Sequence, residues 1–230
     1  MATTAPEATR PAGARSDRTM GHLALHYGAE SDGPIAARLL KAMGLVETQV
    51  LSLPGGNFYR FVANPGHAAR GDGIIYLAAL PEPQRKLIET IQSLLGMETA
   101  AQHQAVTDYQ AMLASDPEAS FHFGFLVDSL DDLEAMVLNL RDLNEFDPEL
   151  KGRLTIGVNR ARRGDAEVDA RLDASPVFGS CERYAYGRNG VQVFVATDLI
   201  KAGQLGDRMF LEFDYVFPGR TDHILSVVEL

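Results

Sequence analysis

The sequence predicts an α+β protein made of two consecutive modules, and three observations carry that prediction. The first is Phe121 to Leu143, FHFGFLVDSLDDLEAMVLNLRDL. In its opening residues Phe121, Phe123 and Phe125 fall on one side of an extended chain, and His122, Gly124 and Leu126 on the other. Ser129 then sits three residues before Asp132, a helix-capping arrangement, and Leu130, Leu133, Val137 and Leu140 recur at helical spacing. The second observation is an echo about 100 residues earlier, the spacing of a tandem repeat of one domain. There Gly21 to Tyr27, GHLALHY, places Leu23 and Leu25 on one face and His22, Ala24 and His26 on the other. A helix follows, opened by Asp32 and Pro34, striped by Ile35, Leu39 and Met43, and stopped by Gly44. The third is that short alternating segments separated by turn residues follow each of these units.

Composition narrows the class. With 46% hydrophobic and 23% charged residues the chain of 230 has the makeup of a folded globular protein, long enough for two cores. No apolar run approaches the roughly 20 residues that span a bilayer, so no membrane partner is expected. A net charge of −10 argues against nucleic acid, whose phosphates call for clustered Lys and Arg. The single cysteine, Cys181, excludes an internal disulfide and fits a reducing compartment; a small buried residue is its simplest role. A cytoplasmic location is the expectation.

Residues 1–19, rich in Ala, Thr, Pro and Arg, lack apolar periodicity and read as a disordered arm. Modules are expected over 20–118, including a helical linker, and 119–230. In the first, Val46 to Leu53 and Asn57 to Ala63 form a hairpin around Pro54-Gly55-Gly56, with Tyr59 and Arg60 on opposite faces, so that one of the two can look into a concave sheet. Pro65 to Gly73, containing His67, reads as a loop, and Ile74 to Leu80 as a fourth strand. Leu87, Ile88, Ile91, Leu94 and Leu95 stripe a linker helix, a second covers Ala105 to Ala114, and Asp116-Pro117 ends the linker. In the second module Leu154 to Asn159 reads as a strand and Arg160 to Pro176 as an exposed loop or ragged hairpin. Tyr184 to Asp198 reads as two strand pieces about the Arg188-Asn189-Gly190 turn. Met209 to Phe217, with Phe210, Glu212 and Asp214 on one face, and His223 to Val228 complete the strands.

A histidine-bearing strand leading into a helix and several strands, twice over, resembles the vicinal oxygen chelate superfamily of glyoxalases, extradiol dioxygenases and antibiotic-binding proteins. That resemblance implies two βαβββ-type modules with curled, mostly antiparallel sheets forming a cup. It also implies a divalent metal (Fe, Mn, Zn or Ni) held by a first-strand histidine and a last-strand glutamate, which leaves positions for neighbouring substrate oxygens. Carried over by position, His122 and His22 stand for the histidines and Glu212 for the glutamate. His26 shares a face with His22, His223 near the C-terminus is a supplement, and Glu229 is the alternative carboxylate should the final strand fill the place given to 209–217. The departures are a missing histidine between Leu154 and Asp207 and a missing glutamate on Ile74 to Leu80.

A strand histidine can equally be a hydrogen-bonded structural residue, and a tyrosine-rich strand merely a strand. Tyr184 and Tyr186, with Arg183, could line a pocket for an aromatic or carboxylate substrate. Neither a phosphate-binding glycine loop nor a G-x-S-x-G elbow is present. The expected function is a metal-dependent dioxygenase, lyase or isomerase acting on a small oxygenated substrate, aromatic or not. The alternative is a metal-free protein that binds a small molecule in the same cup. A second copy of the chain, in a homodimer, is the other expected partner.

Overall fold

Each of the two strand–helix units opens a run of strands that returns to lie beside it. In the computed structural model, which describes residues 20–203 and 205–220, the first run comprises β1 (His22–Tyr27), α1 (Asp32–Ala42), β2 (Val46–Leu51), β3 (Phe58–Val62), a short α2 (Pro65–Arg70) and β4 (Ile74–Ala79). Two helices, α3 (Glu82–Leu94) and α4 (Gln104–Ser115), and a 3-10 turn at Pro117–Ala119 follow. The second run is β5 (His122–Val127), α5 (Leu130–Phe146), β6 (Leu154–Asn159), α6 (Ala166–Asp173), β7 (Gly190–Ala202) and β8 (Asp207–Val216).

Strand order repeats with the sequence. The first run is ordered β2-β3-β4-β1 and the second β6-β7-β8-β5, with β1 parallel to β4, β5 parallel to β8, and the remaining pairs antiparallel. One eight-stranded sheet results because β7 is long enough to serve both runs. Its residues 192–197 pair with β6, and after a bulge between Thr197 and Lys201 its end pairs with β1 through Ile200 and Lys201. The bulge bends the strand. The sequence GVQVFVATDLIKA is almost wholly buried, as a strand covered on both faces requires. The sheet curls without closing, and the fold is α+β, as expected.

The helices α1 and α5 pack on one face. Leu39 and Leu40 of α1 and Leu133, Val137 and Leu140 of α5 meet Leu25, Tyr27, Phe61, Leu211 and Phe213 there, all buried. The Ser129 hydroxyl accepts the Asp132 amide at 3.1 Å and starts α5. Arg38 on α1 grips Asp147 after α5 through two bonds, 2.5 and 2.8 Å, which hold that carboxyl far below its ordinary pKa, and the Glu149 and Leu150 amides add to the effect. Tyr27 reaches across the core to donate to the Asn57 carbonyl at 2.7 Å. Gly56, at φ +131°, passes so close to that hydroxyl that a Cβ there would collide with it.

Three expectations are corrected. Pro65 to Gly73 is not a loop: Asn64 Oδ1 accepts the Gly66 amide and Pro65 pre-sets the first turn, so α2 forms, ended by Gly71 at φ +74°. Arg160 to Pro176 contains α6, capped by Asp165; only Val168 and Leu172 are apolar and buried, one turn apart, too few for a periodic signal. Tyr184 makes a single bridge to Arg160, so β7 starts after the Asn189 turn without a preceding strand partner. The linker stripe is also thinner than expected: Ile88 is buried, while Leu87 and Leu94 are exposed. Residues 1–19, the strand expected at His223 to Val228, His223 and Glu229 lie outside the described residues.

Candidate metal centre

The face of the sheet opposite α1 and α5 carries the chemistry. On β5 the aromatics Phe123 and Phe125 turn to the core and His122 and Gly124 to the other side; on β8 Leu211 and Phe213 turn inward and Glu212 and Asp214 outward from that core. The parallel register sets Gly124 opposite Glu212. A Cβ at Gly124 would stand 3.3 Å from Glu212 Oε2, so glycine there leaves room for the carboxylate.

His122 Nε2 lies 3.2 Å from Glu212 Oε2 and 3.7 Å from Glu118 Oε2. Glu118 comes from the 3-10 turn, where Asp116 caps and Pro117 opens the turn just before β5. Ligand-capable atoms of Glu118, His122 and Glu212 all fall within 4.8 Å of one another, the arrangement of a site able to hold a metal ion. The other ring nitrogen, Nδ1, is 3.0 Å from the Ser120 carbonyl. A carbonyl only accepts, so Nδ1 carries the proton and Nε2 is directed at the carboxylates, the orientation of metal-binding histidines. Gln192 on β7 donates from Nε2 to Glu118 Oε1 at 2.5 Å and to Glu212 Oε1 at 2.8 Å, which steers the two acids toward each other.

Electrostatics at this point are unfavourable without a cation. Burial raises the Glu212 pKa and the neighbouring Glu118 charge raises it further, against the pull of His122. Asp214, two residues on, is pushed up to about 8 by burial and by the Glu212 charge, so it holds its proton at neutral pH. Among the described residues its Oδ1 is buried without a hydrogen-bond partner. Donor atoms about 2.1 Å from one ion are separated by about 3.0 to 3.4 Å in octahedral or tetrahedral geometry, close to the separations from His122. One imidazole and two carboxylates suit a divalent zinc- or iron-like ion.

The remaining residues named from the sequence are placed as follows. His22 sits on β1 in the place that His122 occupies on β5, but its neighbour across the strand pair is Tyr76, ring centroids 5.4 Å apart, where the second run has Glu212. Neither His22 nor His26 belongs to the three-residue group, because β7 and β8 separate β1 from β5; burial lowers the His26 pKa. Tyr59 faces the core at 4% exposure, and Arg60 faces the other way, bonded to Thr48 at 2.7 Å. Tyr184 is exposed, whereas Tyr186 donates to Asp116 Oδ2 at 2.6 Å and borders the site through the turn that carries Glu118. Of the histidines not named from the sequence, His103 caps α4 through Nδ1.

Glu118 and Gln192 went unrecognised in the sequence. Glu118 does lie four residues before His122, but in a segment that reads only as a linker end. Gln192 carries no signal of its own inside a buried strand.

No family model matches the sequence, and no curated protein does. Among solved structures the chain is similar to one described as "Putative glyoxalase superfamily protein" from Ralstonia eutropha JMP134, at 11% identity over 88% of this chain and 73% of that one, with a TM-score of 0.21. At that TM-score the likeness carries no argument. What stands is an α+β fold with a curled eight-stranded sheet and a Glu118, His122, Glu212 group able to hold a metal ion.

Proposed function

We propose that this protein binds a divalent cation through Glu118, His122 and Glu212 and acts on a small oxygenated substrate, in the manner of glyoxalase and extradiol-type enzymes. The observation that carries the reading is the His122 ring: Nδ1 is committed to the Ser120 carbonyl and Nε2 is aimed at two carboxylates. A bound ion would supply Lewis-acid polarisation of a substrate oxygen. The chain's own part is to hold the donors. Gln192 fixes both carboxylates and Ser120 fixes the imidazole. His122 and Glu118 remain partly exposed, so a ligand can approach from their side.

A second reading is favoured by the same 3.2 Å separation, which is also a hydrogen-bond length. A direct hydrogen bond between His122 and Glu212 would hold the pair together without metal, leaving a metal-free binding protein.

Elemental analysis and calorimetric titration of the purified protein with Zn²⁺, Mn²⁺, Fe²⁺ and Ni²⁺ separate the two. The metal reading expects one ion per chain for at least one metal, lost in His122→Ala and in Glu118→Gln. No uptake of any of them would leave the metal-free reading, and uptake unchanged in His122→Ala would put the ion at another site and overturn this one.

A further inference from the structure

On the face that carries Glu212, strand pairing lays out a graded surface. β8 presents Asp214, Glu212, Phe210 and Arg208 in succession, and β7 sets Gln192, Phe194, Ala196 and, past its bulge, Lys201 opposite them. Acids stand at one end, aromatic rings in the middle and two cations at the other end. Glu212 and Arg208 are four residues apart, about 13 Å of extended chain.

The helices α3 and α4 stand over this surface. Between them and the sheet lies a cavity of about 700 Å³, with Phe194 and Phe210 on the strands, Met97 and Leu113 from the linker, and Lys201 and Arg208 in its lining. The cavity adjoins the candidate metal centre: the Phe194 ring meets His122 edge-on, centroids 6.1 Å apart, and Phe210 is paired with His122 in register.

The cation pair needs an explanation. Like charges directly opposite each other in antiparallel strands destabilise the pair, and this chain has a net charge of −10 from which partners could be drawn. Yet among the described residues neither Lys201 nor Arg208 forms an ion pair. Arg208 spends one donor on Thr155 Oγ1 at 3.2 Å. Three acids also line the cavity, Glu98, Asp198 and Asp207. Asp198 is held by Arg153; Asp198 and Asp207 both lie close enough to feel the Lys201 charge, but among the described residues none of the three makes a salt bridge with Lys201 or Arg208.

We propose that the cavity takes an amphipathic organic acid. Its carboxylate sits between Lys201 and Arg208, and its aromatic or apolar body lies on Phe194 and Phe210. If the proposed function holds, its far end carries the oxygens that reach Glu118, His122 and Glu212. Charge-assisted hydrogen bonds from two cations favour a carboxylate over a neutral group of equal size, and the aromatic floor favours a flat body.

The test is calorimetric titration with 4-phenylbutyrate and with 4-phenyl-1-butanol, which share a body and differ in charge. The acid should bind at least about tenfold more tightly than the alcohol, a factor equal to 1.4 kcal/mol, and added salt should shrink the ratio. Arg208→Gln and Lys201→Gln should each bring the ratio toward one, and Phe210→Ala should weaken both probes alike. Circular dichroism establishes that each variant is folded, and the two charge variants serve as independent checks. Equal binding of acid and alcohol, binding of neither, or a ratio unchanged in both folded charge variants would overturn the proposal. Repeating the titrations without metal and with each of Zn²⁺, Mn²⁺, Fe²⁺ and Ni²⁺ keeps the two readings apart. A retained ratio with no uptake of any of the four sinks the metal reading alone, and uptake of one of them with a ratio of one sinks this proposal alone.

Discussion

Glu212→Gln should make the metal-free protein more stable and insensitive to metal. In the folded chain the Glu212 pKa is raised by burial and by Glu118. A folded state with a raised carboxyl pKa binds more protons than the unfolded chain above that group's ordinary value, so its stability falls as pH rises from about 4.5 upward. The amide has no such loss, still accepts from Gln192 at Oε1, and keeps the side-chain volume. The stabilisation of the variant over the wild type should therefore grow with pH. With metal the order reverses. An ion at a hundred times its dissociation constant stabilises by about 2.7 kcal/mol, which for a chain of this size is a melting shift of about 5 to 11 °C. The wild type should show that shift and the variant should not. Thermal unfolding followed by circular dichroism at several pH values, with EDTA or with excess Zn²⁺, measures both. A metal-free variant less stable than the wild type, or one that retains the shift, would refute the reasoning.

Further outcomes follow from neighbouring contacts. Gln192→Leu should weaken metal binding roughly 10- to 100-fold, the usual loss when a group that orients metal ligands is removed, as read by competition with a chelating dye. Gly124→Val should abolish Zn²⁺ uptake while circular dichroism stays native, because the new side chain stands against Glu212 Oε2 on an exposed part of β5. Burial works against ionisation of Asp198, but Arg153 outweighs it and lowers its pKa. The stability this pair contributes is present above about pH 4 and lost as pH falls through the lower folded value. Asp198→Asn should flatten that acid limb in urea titrations. Leu140→Ala, at a fully buried position of α5, should cost about 2 to 5 kcal/mol in urea unfolding.

The sequence by itself determined what depends on neighbours along the chain. Alternation in FHFGFLV decides which side of β5 meets the core, and the Ser129 cap starts α5, because both follow from covalent geometry and local hydrogen bonding. The same alternation on β8 put Glu212 and Asp214 on one face, and β6 was readable to its ends. Where the local signal was thin, as in α2 and α6 with few apolar positions, a loop was the natural reading, and burial of Val168 and Leu172 against the rest of the fold overrode it.

Only the tertiary structure decided which histidine meets acids. His22 and His122 are equivalent along their strands, yet one faces Tyr76 and the other Glu212, and β7 and β8 lie between them. Glu118 and Gln192, 74 residues apart, come within hydrogen-bond reach because the linker helices return the chain over the sheet and set the 3-10 turn beside β7. Such contacts depend on strand order, register and the bulge in β7. None of these is encoded in any short stretch of residues, because each is settled by how distant apolar faces bury one another.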